Sequence, residues 1–226
     1  MLTIVPTPIG NLKDITLRAL EVLKTVDEVI CEDSRRTALL LNHYEIKKPL
    51  IILNDFNEYK SEDFILSKLR EGKNLALVSD AGIPLVSDPG FKIVRAAIEQ
   101  GLEVDSLPGS SSVITALTLS GLPPDKFMFL GYLPEKEGRR KIQLKNMQDI
   151  SKLIPTTFII FVAPHKLLRT LEEIKVELDD PKVVLAKELT KIHQKVLYQK
   201  VSEILEEVRS PKGEYILMIN LTVPKN

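Results

Sequence analysis

The chain has few of the features that build disulfide frameworks, metal sites or membrane spans. Among its 226 residues Cys31 is the only cysteine, which excludes a disulfide framework and a cysteine metal site and fits a reducing cytoplasm. No segment approaches the roughly 18 uninterrupted apolar residues of a membrane span, and the N-terminal residues lack the basic and apolar regions of a signal peptide. We therefore expect a cytoplasmic protein that does not insert into a membrane.

An excess of positive charge, which would indicate a general polyanion binder, is also lacking. The sequence has 31 Lys plus Arg and 31 Asp plus Glu, so any nucleic-acid contact has to come from a local basic patch. Such a run of charge can equally be a solvated helix face. The basic clusters available are Lys136, Arg139, Arg140, Lys141 and Lys145, then Arg35 and Arg36, and then Lys187, Lys191 and Lys195.

The glycine patterns of the common nucleotide-binding folds are missing. The segment TPIGN at residues 7–11 ends the first predicted strand but lacks the spacing GxGxxG, and no GxxxxGK[ST] loop occurs. The sequence therefore offers no support for a nicotinamide, flavin or P-loop nucleotide site. A metal site is not indicated either, since the three histidines are scattered along the chain and no ligand cluster stands out.

The first half of the sequence alternates short apolar strands with amphipathic helices. Strands that are apolar throughout and separated by helices are typical of a parallel sheet with helices on both faces. The predicted fold class is therefore α/β, beginning with an open parallel sheet. Strands are predicted at 2–6, 28–31, 50–53, 75–79 and 104–107, and helices at 17–25, 37–44, 62–70, 91–100 and 111–119.

A domain boundary is predicted at SGLPPD, residues 120–125, because its two prolines prevent a helix from continuing. This gives a first domain at 1–121 and a second at 122–226. Beyond the boundary the helices are fewer, which favours a mixed sheet in a second α/β domain. Its strands are predicted at 127–130, 157–162, 183–185, 196–198 and 215–221, and its helices at 139–148, 165–176 and 201–208.

Three loops that follow predicted strands carry small and polar residues. They are TPIGN, SDAGIPLVSDPG at 79–90 and PGSSS at 108–112. Open parallel sheets bind ligands at the carboxyl ends of their strands, so these loops predict a small, partly polar ligand. Simpler interpretations stay open: Asp88 can cap the helix that follows it, and the serines can be ordinary helix N-caps.

These and other motifs, in order along nearly the whole chain, resemble the ribosomal RNA small subunit methyltransferase I family of the tetrapyrrole methylase superfamily. The motifs are TPIGNLKDITLRAL, EDSRRT, SDAGIPLVSDPG, LPGSSS, ALTLSGLPPDKFMFLGYLP, KELTK and KGE. The resemblance implies a two-domain tetrapyrrole-methylase fold with S-adenosylmethionine folded in the cleft between the domains. It also implies methyl transfer to the ribose 2′-hydroxyl of a cytidine in the decoding centre of 16S ribosomal RNA, by a homodimer in the bacterial cytoplasm.

The resemblance assigns cofactor-binding positions in both domains. It places the substrate side and half of the cofactor cleft in the first domain, and the other half of the cleft in the second domain. For Phe161, Val162 and Ala186 plain core packing is favoured, and it is compatible with an apolar wall for an adenine ring. The implied cofactor contacts are Asp80, Gly82, Ile83, Ser111, Ser112, Phe161, Val162, Ala186, Gly213 and Glu214.

Charged residues after the second predicted strand are the candidates for catalysis. Glu32 or Asp33 would orient the ribose and Arg35 would hold a phosphate, since they face the same end of the sheet as the ligand loops. Alternatively, Asp33 or Ser34 caps the next helix and Arg35 is solvated. The expected RNA contacts are Arg35, Arg36, Arg139, Arg140, Lys187 and Lys191.

Two other functions are compatible with the sequence. One is carbon methylation of a tetrapyrrole, although enzymes of that kind usually carry a GxGxGD-like loop where this chain has TPIGN. The other is a non-catalytic RNA-binding module, which differs from an enzyme in binding no S-adenosylmethionine.

Overall fold

A computed structural model describes residues 1–53 and 58–222 of the chain. The chain divides into two compact units, Met1–Ser111 and Ser112–Asn226, and each unit has its own five-stranded sheet. Within the described residues, no helix is both long and apolar enough to cross a membrane.

The described part of the first unit alternates strands and helices as the sequence predicts. The strands form one sheet in which every neighbouring pair is parallel, and the predicted parallel sheet is therefore confirmed. The elements are β1 (Leu2–Ile4), a 3₁₀ helix (Leu12–Asp14), α1 (Leu17–Thr25), β2 (Glu28–Cys31), α2 (Ser34–His43), β3 (Leu50–Ile52), α3 (Glu58–Arg70), β4 (Leu75–Leu77), α4 (Phe91–Glu99) and β5 (Val104–Ser106).

Helices cover both faces of this sheet, because successive residues of a strand point to opposite sides. Val29 and Cys31 of β2 belong to the same buried cluster as residues of α1 and α2. Ile30, between them, belongs to a second cluster with residues of α3 and α4. Two buried faces explain why β2 carries three successive apolar residues, Val29–Cys31.

In the strand order β3-β2-β4-β1-β5, β1 and β4 are neighbours, and the connections that follow them lead toward opposite edges of the sheet. The chain runs from β1 to β2 and β3 by way of α1 and α2 on one face, and from β4 to β5 by way of α4 on the other. Open α/β sheets bind ligands at the carboxyl ends of strands where such a reversal occurs. TPIGN follows β1 and SDAGIPLVSDPG follows β4, so both loops lie at this point.

The second unit contains a mixed sheet in the order β6-β7-β10-β8-β9, in agreement with the sequence analysis. Its β6 and β7 are parallel and the other neighbouring pairs are antiparallel. The elements are α5 (Ser112–Leu119), β6 (Phe127–Tyr132), α6 (Glu137–Leu153), β7 (Thr157–Val162), a 3₁₀ helix (Pro164–Lys166), α7 (Leu167–Glu177), β8 (Lys182–Lys187), β9 (Lys195–Lys200), α8 (Val201–Glu207) and β10 (Tyr215–Asn220).

One face of this second sheet is covered by three helices. Residues of α6, α7 and α8 form a single buried cluster with side chains of β7, β8 and β10, among them Phe158 and Leu217, which are fully buried. Helix α5 contacts β10 and belongs to this unit. The division between the units thus falls before α5, whereas the sequence analysis places its boundary after Gly121.

Helices α2 and α6 are longer than the sequence patterns predict. Helix α2 begins at Ser34 because the side chain of Asp33 accepts a hydrogen bond from the backbone N–H of Arg35, at 2.9 Å, and so caps the helix. Helix α6 runs to Leu153 because Ile150, near its end, still packs against the buried cluster.

Candidate active site

Two loops at the carboxyl end of the first sheet are joined to each other. Thr7 and Gly82 exchange two backbone hydrogen bonds, with N–O distances of 2.9 and 3.0 Å. The Thr7 hydroxyl donates to the carbonyl of Ser79 at 3.1 Å, and the Ser79 hydroxyl donates to the carbonyl of Gly82 at 3.1 Å. TPIGN and the start of SDAGIPLVSDPG therefore form one hydrogen-bonded structure.

The third predicted loop, PGSSS, lies directly against the same structure. A methyl group placed at Gly109 would lie 2.6 Å from Cβ of Pro6, so only glycine fits there without a shift of the backbone. Gly82 has a φ of +89°, and a Cβ at this position would approach Cγ2 of Ile9 to 3.2 Å and the carbonyl oxygen of Ser110 to 3.6 Å. The three loops thus pack together within the first unit.

Asp80 connects these loops to EDSRRT after β2. Its Oδ1 accepts a hydrogen bond from the backbone N–H of Asp33 at 3.2 Å, and its Oδ2 lies 3.4 Å from Nε of Arg36. The segments after β1, β2, β4 and β5 therefore form one cluster, which we call the loop cluster: residues 6–11, 32–36, 79–90 and 108–111.

Asp33 has a structural role in the loop cluster. Besides capping α2, its carboxylate accepts from Nε and Nη2 of Arg35 at 3.0 and 2.7 Å. These hydrogen bonds lower the pKa of Asp33 to about 2. A carboxylate held ionised in this way is a weak proton acceptor, and the capping interpretation applies to it. The Arg35 side chain is 88% exposed and available to solvent.

Asp88 is a carboxyl of this cluster whose ionisation is opposed by its surroundings. Burial raises its pKa to about 7, with further contributions from the negative charges of Glu32 and Asp80, while a hydrogen bond with Ser79 acts in the opposite direction. Asp88 does not cap α4, because the N-cap is Gly90 and has no side-chain cap. The proposed cap is thus wrong, and no sequence signal distinguishes Asp88 from other loop carboxylates.

The serine loop continues into the second unit. Ser111 and Ser112 are half-buried, and Ser112 is the first residue of α5. Ser110, which the sequence analysis does not single out, donates its hydroxyl hydrogen to the carbonyl of Asp14 at 2.9 Å. Ile83 is half-buried and directly follows Gly82.

In the second unit the candidate residues lie at one end of the sheet. Ile216 of β10 is opposite Phe161 on β7 and opposite Ala186 on β8, and Tyr215 is opposite Val162. Val162 and Ala186 are buried, as favoured from the sequence, and Phe161 is partly accessible. The ring of Phe161 makes edge contacts with Phe129 at 4.8 Å and with Tyr132 at 5.6 Å between centroids, so an apolar wall is present.

Glu188 of KELTK organises the remaining candidates, Gly213 and Glu214. Its Oε1 accepts from the backbone N–H of Glu214 at 2.8 Å, and this hydrogen bond lowers the pKa of Glu188. The backbone N–H of Glu188 donates in turn to the carbonyl of Glu214 at 3.0 Å. Nζ of Lys191 lies 3.0 Å from both carboxylates. A Cβ at Gly213, where φ is +90°, would lie 2.7 Å from Cδ of Glu188. Sequence reasoning missed Glu188, although the motif that contains it was identified.

The basic residues predicted to contact RNA differ in accessibility. Arg140 is only 3% exposed: its guanidinium donates to both oxygens of Glu173 at 2.5 and 2.6 Å and to two backbone carbonyls of the preceding loop. It therefore stabilises the second unit and is not on an RNA-facing surface. Arg139 is exposed, whereas Lys191 is paired with acids and Nζ of Lys187 lies 5.9 Å from the centroid of the Tyr215 ring.

Metal-binding side chains are not gathered in the described part of the chain. Across residues 1–53 and 58–222, no three His, Cys, Asp or Glu side chains are arranged so that they could hold a metal ion.

Comparison with known proteins identifies the family of this chain. Residues 1–205 match the model of the Tetrapyrrole (Corrin/Porphyrin) Methylases. A protein of Thermotoga maritima named ribosomal RNA small subunit methyltransferase I is 44% identical over 97% of this chain and 97% of its own length. A protein of the same name from Escherichia coli O157:H7 is 46% identical over 96% of this chain and 77% of its own length. The chain belongs to the ribosomal RNA small subunit methyltransferase I family.

Two solved structures share the fold of this chain at low sequence identity. Diphthine synthase superposes with a TM-score of 0.77 at 16% identity, covering 97% of this chain and 89% of that chain. The methyltransferase CobJ superposes with a TM-score of 0.71 at 19% identity, covering 97% and 93%. The tetrapyrrole-methylase fold that the sequence motifs predict is thereby confirmed.

Proposed function

We propose that the chain is an S-adenosylmethionine-dependent methyltransferase that methylates the ribose 2′-hydroxyl of a cytidine in the decoding centre of 16S ribosomal RNA. Family membership supports this reaction over the two alternatives, since relatives above 40% identity carry the ribosomal RNA name. The structural observation that carries it is the loop cluster at the strand reversal of the first sheet. A non-catalytic module has no need of a preformed ligand site there.

The residues available fit a nucleoside cofactor. In the first unit, Gly82 and Gly109 keep the backbone free of side chains, and Asp80 supplies a fixed carboxylate. In the second unit, the contacting rings of Phe161, Phe129 and Tyr132 offer apolar surface. Glu214 presents a carboxylate there, with its side chain 68% exposed. The proposed cofactor contacts are Asp80, Gly82, Ile83, Ser111, Ser112, Phe161, Val162, Ala186, Gly213 and Glu214.

Positioning of the ribose is the main task of the protein in this reaction. S-adenosylmethionine supplies an activated methyl group on a sulfonium, and in-line transfer requires the hydroxyl oxygen to be held against that carbon. We assign Glu32 to orienting the ribose, because Asp33 is committed to its helix cap and to Arg35. Arg35 remains the candidate for holding a phosphate, because its side chain is exposed.

RNA binding is assigned to the predicted basic side chains of both units that are not buried. The set is Arg35, Arg36, Arg139, Lys187 and Lys191, without the buried Arg140. Because each phosphate that is neutralised releases counterions, RNA affinity should decrease as salt increases. By analogy with the family, we further propose a homodimer acting in the cytoplasm.

The proposed reaction is tested by incubating the protein with methyl-labelled S-adenosylmethionine and unmodified small ribosomal subunits, followed by mapping of the labelled nucleotide. Label on the ribose of a single cytidine is expected. Label on a base, or no label on RNA while the cofactor binds, would contradict the assignment.

Two glycine variants connect that assay to the loop cluster. Gly82→Val should abolish cofactor binding, because its side chain enters the space between the loops. Gly101→Val is the matched control. Gly101 also has a positive φ, of +70°, but a Cβ placed at Gly101 would have no neighbouring atom within 4 Å. Equal loss in both variants would show that backbone strain, rather than the cluster, causes the effect.

A further inference from the structure

The second unit contains a cavity of about 780 Å³ that the proposed reaction does not use. It lies where β10 ends and β8 begins, whereas the proposed cofactor residues lie at the other end of these strands. Its volume is typical of small-molecule sites, which span roughly 300–1,000 Å³. None of the residues proposed to contact cofactor or RNA lines it.

The wall of this cavity combines aliphatic side chains with one aromatic ring. Tyr198 is 55% exposed, and its hydroxyl donates to the carbonyl of Leu119 at 2.7 Å, which fixes the orientation of the ring. An accessible aromatic ring held in place is a surface on which a planar heterocycle can stack. The aliphatic lining is Leu122, Leu178, Pro181, Val183, Val184 and Leu221.

A buried hydroxyl without a partner lines the same cavity. Ser151 of α6 is 8% exposed, and its Oγ has no hydrogen-bond partner among the described residues. Leaving such a group unpaired is unfavourable, and a polar atom of a ligand would satisfy it. The neighbouring amides each make one hydrogen bond within the protein: Gln148 donates to the carbonyl of Glu177, and Asn220 donates to the hydroxyl of Thr157.

Two lysines and one aspartate, Lys152, Lys182 and Asp179, line the cavity, so its lining carries a net positive charge that favours an anionic group. Lys182 lies directly opposite Lys200 in the register of β8 and β9, and like charges in such a pair repel. Within the described part of the chain, Lys182 forms no salt bridge. Lys152, which also lines the cavity, is paired with Asp149. An anion beside Lys182 would relieve the repulsion across the two strands.

We propose that this cavity binds a nucleotide, with the base against the Tyr198 ring and Ser151 and the phosphate at Lys182. A free nucleotide and a nucleotide within single-stranded RNA share this chemistry. If RNA is the source, the site is a second contact of the proposed ribosomal substrate and depends on the proposed function. If a free nucleotide is the source, it does not.

Calorimetric titrations of the full chain without cofactor or ribosomal subunits test the proposal independently of methyl transfer. The probes are cytidine monophosphate, a short oligocytidylate and inorganic phosphate. Lys182→Gln and Ser151→Ala should each weaken nucleotide binding by about tenfold, the loss of one charge-assisted or buried hydrogen bond. Lys145→Gln removes the same charge from an exposed part of α6 outside the cavity, and should leave binding unchanged.

Two variants of Tyr198 test whether its ring stacks on the base of the nucleotide. Tyr198→Leu should weaken nucleotide binding, and Tyr198→Phe, which keeps the ring, should retain most of it. Binding of the monophosphate supports the free source, and binding of the oligonucleotide alone supports RNA. The proposal would be overturned if no nucleotide bound, or if inorganic phosphate bound as tightly as the nucleotide. It would also be overturned if Lys182→Gln and Lys145→Gln lost the same amount of nucleotide affinity.

Discussion

Replacement of Asp88 by asparagine should change the pH dependence of stability in the first unit. The carboxyl has a pKa of about 7 in the folded protein, compared with an ordinary value of 3.8. Between these two values the unfolded chain has lost the proton while the folded chain keeps it. Rising pH therefore favours the unfolded state, and wild-type stability falls through this window. The asparagine side chain cannot ionise, so the variant lacks this decrease.

The magnitude follows from the difference between the two pKa values. A difference of about three pH units corresponds to about 4 kcal/mol as an upper limit, at roughly 1.36 kcal/mol per unit. Because Asp88 is only partly buried, solvent screening reduces this value, and we expect about 2 kcal/mol. The variant should therefore gain about 2 kcal/mol over the wild type between pH 4 and pH 8.

The measurement is urea unfolding at a series of pH values, followed by hydrogen exchange of peptides from the first unit, because two units need not unfold together. Asp33→Asn provides a control of opposite sign. The pKa of Asp33 is lowered to about 2, so its contribution to stability is present above its unfolded value and lost as pH falls toward 2. A stability difference between Asp88→Asn and wild type that stays constant from pH 4 to 8 would refute the reasoning.

Three further predictions address the second unit. Arg140→Ala should cost about 3 kcal/mol of stability, because it leaves the partly buried Glu173 without its cation, whereas Arg139→Ala should be neutral in thermal unfolding. Conversely, Arg139→Ala should reduce the slope of RNA affinity against salt by about one, measured by filter binding, and an unchanged slope would remove it from the interface. Gly213→Ala should weaken cofactor binding in calorimetry, because its Cβ meets Glu188. Gly101→Ala, which is also at a positive φ but has open space around its Cβ, should not.

The sequence alone determined the type of each sheet, parallel in the first unit and mixed in the second. Uninterrupted apolar runs such as Val29–Cys31 require burial on both faces, and this local property is enough to predict a parallel sheet between helices. The motifs were enough to identify the family, because they recur in fixed order over nearly the whole chain. The loops after the strands were also identifiable, because small residues concentrate there.

What only the tertiary structure decided concerns contacts between residues that are far apart in sequence. The sequence predicts that Arg140 faces RNA, but burial against Glu173 on the next helix makes it part of the core. Burial raises the pKa of Asp88 first and the charge of Glu32 next, and Glu32 lies near Asp88 only because β2 and β4 are neighbours in the sheet. Glu188 and Gly213 meet because β8 and β10 pair. Charge and size are properties of single residues, whereas accessibility and ionisation depend on neighbours that the fold brings together.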